Sequence, residues 1–179
     1  MREKMTRLVL LAGLISLWCA ADAAEAPPQY ASCVACHGTQ GQGNAALGAP
    51  ALAGQSADYL VRQLNNFQQG LRGSAEGDAS GAQLVAMASL LPDDASKQAI
   101  ADYLAALPLH QPTAVMQGGD LNAGRSVYNG NCSDCHGAQG EGNVALSAPK
   151  LAGLSDQYLF DQFKKFQQSQ RGYAKADKR

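Results

Sequence analysis

An internal repeat limits how this chain can fold. The pattern C-x-x-C-H occurs twice, as CVACH at residues 33–37 and as CSDCH at residues 132–136. When the two patterns are superposed, the residues that follow them align without a gap at an offset of 99. CVACHGTQGQGNAALGAPALAG lies over CSDCHGAQGEGNVALSAPKLAG, and YLVRQLNNFQQGLRG lies over YLFDQFKKFQQSQRG. Similarity at this spacing predicts a duplicated domain whose two copies each carry their own chemistry.

Each C-x-x-C-H pattern places two thiols and an imidazole within about one helical turn. In an exported protein this spacing is typical of covalent attachment of c-type haem. The thiols add to the haem vinyl groups as thioethers, and the histidine binds the iron from the proximal side. The sequence therefore predicts two covalently bound haem c groups, each held by an equivalent set of residues: Cys33, Cys36 and the iron ligand His37, and Cys132, Cys135 and the iron ligand His136.

Two other kinds of site compete with haem at these cysteines. A thioredoxin-like redox pair is typical of a βαβ context, and no alternating strand pattern surrounds either motif. A zinc site could use the four thiolates together with histidines, but a duplicated domain predicts two separate sites rather than one shared site. Two motifs in register within a repeat favour haem.

The first 23 residues have the pattern of a secretory signal peptide. A basic start, MREKMTR, precedes an apolar run over residues 8–20 that is too short to span a bilayer. The sequence ADA at residues 21–23 then provides an A-x-A cleavage site. Residues 1–23 are thus predicted to be removed, so that the protein acts in the periplasm with no retained membrane anchor. Cys19 would be lost with the signal peptide.

Charge and residue types also limit the function. The formal net charge is −1, which is not that of a nucleic-acid-binding protein. The sequence shows no paired carboxylates, no Ser/His/Asp set and no free nucleophilic cysteine outside the two motifs, so no catalytic residue is predicted. A carrier of single electrons between redox proteins is therefore favoured over an enzyme.

The regions after each haem motif have the periodicity of helices. Ser56 and Ser155 are predicted helix N-caps. Apolar residues then recur on one helical face in each copy: Leu60, Leu64, Phe67 and Leu71 in the first, and Tyr158, Leu159, Phe163 and Phe166 in the second.

Two further helices differ between the copies. PDDASKQAIADYLAALP predicts an amphipathic helix between Pro92 and Pro108. Its apolar residues, which follow i, i+3, i+4, i+7 spacing, are Ile100, Tyr103, Leu104 and Leu107. In the second copy, DLNAGRSVYNGNC predicts an opening helix before the haem motif, whereas the first copy has only the short, proline-rich AEAPPQYASC there.

The domain organisation follows from these elements. Residues 1–23 form the signal peptide, residues 24–109 haem c domain 1, and residues 120–179 haem c domain 2. A linker over residues 110–119 joins the domains, in a region rich in proline and glycine.

These motifs together resemble the di-haem class I cytochromes c of the cytochrome c4 type. The resemblance is carried by CVACHG, CSDCHG, both APxLAG stretches, both YLxxQxxxFQ helices with their RG, and LLPDDASKQAIADYLAAL. It implies an all-α fold of two tandem class I cytochrome c domains and a methionine as the second iron ligand. It also implies electron transfer in the periplasm to or from membrane respiratory complexes, such as a terminal oxidase or reductase.

The distal ligand of the first haem departs from the family pattern. Leu84 occupies the position where the methionine ligand is expected, and leucine cannot bind iron. Met87, three residues further on, is the predicted ligand, because a soft sixth ligand is needed. His110 in the linker is the alternative.

The second domain departs further from that pattern. Adding 99 to Leu84 and Met87 gives positions beyond residue 179, so domain 2 is expected to be incomplete, without its distal-ligand segment and closing helix. Its iron is then expected to be five-coordinate, ligated by Lys175 or Lys178, or completed by another chain. An open iron raises an alternative function, that of a peroxidase or a sensor of small gases. A defective, truncated product is a third interpretation.

Overall fold

The computed structural model describes residues 25–112 and 116–177, and within these ranges it is helical and contains no β-strand. The all-α prediction is therefore confirmed for this part of the chain. The signal peptide over residues 1–23, residues 113–115 of the linker and Lys178 lie outside the described residues. The seven α-helices in chain order are α1 (Val34–His37), α2 (Ala57–Gln68), α3 (Ala79–Ala88), α4 (Asp94–Ala106), α5 (Leu121–Asn131), α6 (Ser133–His136) and α7 (Asp156–Gln167).

The repeat seen in the sequence is also a repeat of structure. Residues 25–112 are called unit one here and residues 116–177 unit two. Helices α1 and α6 carry the two haem motifs, and α2 and α7 follow them at equivalent positions. Both predicted serine caps are confirmed, because Ser56 accepts the N–H of Tyr59 at 3.3 Å and Ser155 accepts that of Tyr158 at 3.2 Å.

One residue of the predicted α2 face lies outside the helix. Leu71 was predicted on the same face as Leu60, but α2 ends at Gln68. The chain turns at Gly70, whose φ of 66° is readily adopted only by glycine, and the N–H of Leu71 then bonds the carbonyl of Asn66 at 2.9 Å. The glycine therefore ends the helix before the apolar spacing does.

The core of unit one lies where α4 packs against α2 and the first turn of the chain. Ile100 and Leu104 on α4 are 4% and 1% exposed, and both cluster with Leu60 of α2. Tyr103 packs against Tyr30, with ring centroids 5.5 Å apart. The predicted amphipathic helix is thus the closing helix of this unit.

The opening segments of the two units differ in form but place a tyrosine equivalently. Unit two opens with α5, whereas unit one has only a 3-10 turn over Pro28–Ser32. Tyr30 donates to the carbonyl of Gly38 at 2.8 Å, and Tyr128 donates to that of Gly137 at 2.6 Å. The glycines are 99 residues apart and the tyrosines only 98. The greater rise per residue of a 3-10 turn, roughly 2.0 Å against 1.5 Å in an α-helix, is consistent with this shift.

Unit two exposes the helical face that unit one covers. Phe67 on α2 is 7% exposed, whereas its counterpart Phe166 on α7 is 48% exposed and Phe163 is 58% exposed. The described part of unit two contains no helix equivalent to α3 or α4. Within the described residues, no helix therefore covers this face of α7.

The two units meet through α2 and α7 in a nearly symmetric arrangement. Arg72 of unit one donates to the hydroxyl of Tyr158 and to Oε1 of Gln162, both at 3.3 Å. Arg171, its counterpart in unit two, donates to the hydroxyl of Tyr59 at 3.0 Å. Each arginine therefore reaches across to the tyrosine that begins the helix of the other unit.

Electrostatics strengthen this contact between the units. Burial by itself would raise the pKa of Tyr158, but the positive charges of Arg72 and Arg171 outweigh burial, so the pKa lies below its ordinary value. The phenol is thus a good acceptor for the buried guanidinium group. The interface is built from hydrogen bonds to charged groups rather than from apolar packing alone.

Two candidate haem sites

The first haem motif forms a single tight helical turn. Cys33 lies just before α1, and its carbonyl accepts the N–H groups of Cys36 at 3.2 Å and of His37 at 2.9 Å. The second motif repeats both bonds at the same distances. The backbone of each motif therefore forms one hydrogen-bonded turn that carries two cysteines and one histidine.

The state of the thiols is compatible with covalent attachment of a cofactor. All four are free of disulfides; Cys33, Cys36 and Cys132 are half-buried and Cys135 is exposed. Burial raises the pKa of the Cys33 thiol above its usual value. Within the described residues, no group of three or more His, Cys, Asp or Glu side chains is arranged to hold a metal ion.

The orientation of both histidines is fixed by a backbone carbonyl. Nδ1 of His37 lies 2.9 Å from the carbonyl oxygen of Pro50, and Nδ1 of His136 lies 2.9 Å from that of Pro149. A carbonyl can only accept, so Nδ1 carries a proton, and in the neutral ring the lone pair is then on Nε2. This is the arrangement that a metal-binding histidine needs, with the outer nitrogen holding the ring in place.

Burial also favours the neutral, ligating form of the first histidine. His37 is 8% exposed. Burial lowers its pKa, and the hydrogen bond to Pro50 opposes this only partly. A neutral imidazole is therefore available to a metal without the loss of a proton.

Glycines make the close approach of the proline loop possible. The N–H of Gly43 bonds the carbonyl of His37 at 2.9 Å, and Gly43 has a φ of 80°. A Cβ at this position would lie 2.5 Å from the backbone nitrogen of Ala51. Only glycine lets the segment containing Pro50 pass this near to the motif. Gly142 occupies the same position in unit two, with a φ of 78°.

These residues fit haem c in both units. Each unit presents two free thiols one turn apart and an imidazole whose Nδ1 bonds a backbone carbonyl, which leaves Nε2 as the ring nitrogen that can bind a metal. That donor set matches two thioether bonds and one proximal iron ligand. In each unit the two cysteines and the histidine of the motif lie within one backbone turn.

The candidate distal ligands lie in different places. Met87 is half-buried on α3, as is Leu84 one turn before it. His110 lines a small cavity with Gly43, Asn44, Ala49 and Ala51, which belong to the loop that holds His37. Lys175 is exposed in a 3-10 turn at the end of the described chain. His110 is therefore beside the proximal loop, whereas Met87 is on a separate helix.

Some residues of this region were not predicted from the sequence as a structural set. They lie between the units: Tyr59, Arg72, Asp78, Tyr158, Lys165 and Arg171. The signal available was the recurrence of YL and RG in both copies, because arginine and tyrosine repeated in register predict a repeated contact. Nothing in that recurrence tells which unit supplies the partner.

The comparison with known proteins agrees with this geometry. The chain matches the family described as Cytochrome c over residues 23–108 and again over residues 121–179. It therefore belongs to the cytochrome c family, with one family domain for each haem motif.

Its relatives narrow the class further. Cytochrome c4 of Azotobacter vinelandii is 35% identical in an alignment of 182 positions, which covers 96% of this chain and 85% of that protein. The thiosulfate dehydrogenase electron acceptor of Thiomonas intermedia (strain K12) is 35% identical over 178 residues, 93% of this chain and 78% of that protein. The structure of Acidithiobacillus ferrooxidans cytochrome c4 superposes with a TM-score of 0.67 at 27% identity, over 79% of this chain and 84% of that one.

These relatives confirm the resemblance stated from the sequence. The protein is a di-haem class I cytochrome c with two covalently bound haem c groups, and it carries electrons. In the described residues, no helix has the length and apolar character required to cross a membrane.

Proposed function

We propose that this protein is a periplasmic carrier, not an enzyme, that takes single electrons from one respiratory redox partner and delivers them to another. The observation that carries this proposal is the pairing of two equivalent haem sites in one chain, joined through Arg72 and Arg171. Buried hydrogen bonds to charged groups hold the two units in a defined relation. A defined relation between two sites suits passage of an electron from one to the other.

In this proposal the two motifs have identical roles. The cysteine thiols would form the thioethers, and His37 and His136 would bind the iron through Nε2. Haem supplies one-electron chemistry at iron when it is bound. The protein contributes the orientation of each histidine, through the carbonyl of Pro50 or Pro149, and the burial of His37.

Met87 is the proposed distal ligand of the first haem. Its thioether is the soft ligand that raises the potential of a c-type haem. Met87 is half-buried on α3, on a different element from the loop that holds His37. His110 lies beside that loop, so it would be less suited to a second ligand position.

The kind of partner is proposed from the relatives. One relative bears the name of a thiosulfate dehydrogenase electron acceptor, which favours a dehydrogenase as the electron donor. A membrane respiratory complex, such as a terminal oxidase or reductase, is the proposed acceptor. The donor and the acceptor would bind the surface of the carrier one after the other.

Replacement of the proposed ligand tests the assignment of the first haem. In Met87→Ala, the sulfur–iron charge-transfer band of the oxidised protein is expected to disappear, and the potential of one haem is expected to fall. The double variant Leu84→Met/Met87→Ala is the matched control, because it returns a thioether to the same helix one turn earlier. Retention of the band in Met87→Ala would reject Met87 as the ligand.

The carrier function has a separate test. The reduced protein is expected to be oxidised by a periplasm-facing oxidase in two one-electron steps, and to show no turnover with peroxide. Binding of carbon monoxide by one haem in two, together with steady consumption of peroxide, would support the peroxidase or gas-sensor alternative and contradict the carrier.

A further inference from the structure

A salt bridge joins unit two to the beginning of α3. Nζ of Lys165 on α7 lies 2.6 Å from Oδ1 of Asp78 and 2.6 Å from the hydroxyl of Ser80. The Lys165 side chain is 19% exposed and that of Asp78 only 3% exposed. The pair is thus largely withdrawn from water, where loss of one partner is costly to the other.

Asp78 also determines how α3 begins. It is the N-cap of the helix, and its Oδ1 accepts the N–H of Gly81 at 2.8 Å. Burial by itself would raise the pKa of Asp78, but the hydrogen bonds from Lys165 and Gly81 lower it below its usual value. The carboxylate that caps α3 is therefore held in its charged form by a residue of the other unit.

The loop before α3 has little room to move independently. A Cβ on Gly73 would lie 2.5 Å from the carbonyl oxygen of Gly81, so the loop and the first turn of the helix are in close backbone contact. Unit two holds the same loop at two more points. Gln170 donates to the carbonyl of Glu76 at 3.3 Å, and Tyr173 donates to that of Gly70 at 2.8 Å.

The equivalent contact, from unit one to unit two, has a neutral donor in place of a charged one. Asn66 on α2, the counterpart of Lys165, donates to Asp177, the counterpart of Asp78, at 2.8 Å. An amide therefore occupies the place that an ammonium group has in the other copy. The charged form of the contact is found only where the aspartate caps the helix that carries Met87.

We propose that Lys165 is a positioning residue for the first haem: by holding Asp78, unit two fixes the start of α3 and with it the thioether of Met87. The inference rests on the proposed ligation by Met87. The ligand environment of the first haem then depends on a side chain of the other unit. Removal of Lys165 would loosen ligation at the first haem and leave the second unchanged.

The test uses the full chain with both haems, in the variant Lys165→Gln. Cyanide binds ferric haem by displacing a distal methionine, so its rate of binding reports how firmly that ligand is held. Binding to the first haem is expected to become about tenfold faster, which corresponds to about 1.4 kcal/mol. The sulfur–iron band is expected to disappear at a lower pH than in the parent protein. Met87→Ala identifies which kinetic phase belongs to the first haem.

Two single variants serve as controls, and Asp78→Asn, alone and combined with Lys165→Gln, extends the test. Lys164→Gln removes a neighbouring ammonium group that lies over the ring of Phe160 at 4.3 Å, and it should leave cyanide binding unchanged. Lys165→Arg retains the charge and should restore most of the parent behaviour. Asp78→Asn should accelerate cyanide binding, and the double variant with Lys165→Gln should add little, because the two residues act through one contact.

The outcomes separate the two proposals. If Met87→Ala loses the band while Lys165→Gln binds cyanide at the parent rate, Met87 stands as the ligand and the positioning role is rejected. If Met87→Ala keeps the band, the ligand assignment fails, and the positioning role fails with it. If Lys165→Gln does not take up both haems, Asp78→Asn decides the question, and its binding of cyanide at the parent rate would reject the positioning role.

Discussion

Phe67 and Phe166 are the same residue at equivalent positions of the repeat, and the structure predicts that they contribute unequally to stability. Both rings lie under an arginine at 4.7 Å, Arg72 and Arg171 respectively, so the cation–π contribution is similar in the two units. Phe67 is 7% exposed and Phe166 is 48% exposed. Their replacement by alanine therefore isolates the effect of burial.

The expected difference follows from the buried area. A phenylalanine ring that buries about 200 Å² contributes ~5 kcal/mol at about 25 cal/mol per Å². Scaled by the exposed fractions of the two rings, Phe67→Ala is expected to cost ~4.5 kcal/mol and Phe166→Ala ~2.5 kcal/mol. The free energy of unfolding should thus differ by ~2 kcal/mol between the variants.

Guanidinium unfolding of the haem-loaded protein, followed by far-ultraviolet circular dichroism, measures this difference. The midpoint of Phe67→Ala should lie well below that of Phe166→Ala, with similar slopes against denaturant. Equal midpoints would refute the reasoning, because they would mean that the face of α7 is as well covered in solution as that of α2.

Two further predictions concern single positions. Because the pKa of Asp78 is lowered in the folded state, its contribution to stability is present at neutral pH and is lost as the pH falls through the folded pKa. The midpoint temperature of thermal unfolding should therefore fall more steeply below about pH 4 in the parent protein than in Asp78→Asn. Identical dependence of the two midpoints on pH would contradict this. Gly43→Ala should disturb the loop that holds His37, because its Cβ would lie 2.5 Å from the nitrogen of Ala51. The absorbance spectrum of its first haem should then be altered. Gly48→Ala is the matched control, because Gly48 also has a positive φ, of 64°, but a Cβ there meets nothing within 4 Å. It should retain the parent spectrum, and a parent spectrum in Gly43→Ala would count against the role of the loop.

Local features of the fold could be predicted from the sequence because local chemistry determines them. The serine caps at Ser56 and Ser155 are hydrogen bonds between residues three positions apart. The closing helix was predicted between Pro92 and Pro108, and α4 runs from Asp94 to Ala106. Leu71 was assigned wrongly because apolar spacing continued past the glycine that ends α2.

Contacts between the units could not be predicted in this way. Lys165 and Asp78 are 87 residues apart, and in the sequence both are typical of solvated surface. Their pairing depends on how α7 lies against unit one, which no local pattern specifies. Tyr30 shows a related limit: the equivalence with Tyr128 holds in space, but the gap-free alignment places the two tyrosines one position out of register.

The histidine sites lie between these extremes. The C-x-x-C-H motif predicted which residues meet, since they share a single turn. The carbonyl of Pro50, 13 residues from His37, was not predicted, although the recurrence of APxLAG in both copies was visible. This carbonyl orients the imidazole because the turn at Gly43 brings Pro50 next to His37.

Each unit is expected to bind one haem covalently through its two cysteines. Mass spectrometry of the intact, denatured protein tests it most directly, followed by digestion to locate the modified peptides. The mass is expected to increase by two haem groups, one on the peptide with Cys33 and Cys36 and one on that with Cys132 and Cys135. A single haem, or unmodified thiols in either peptide, would contradict it.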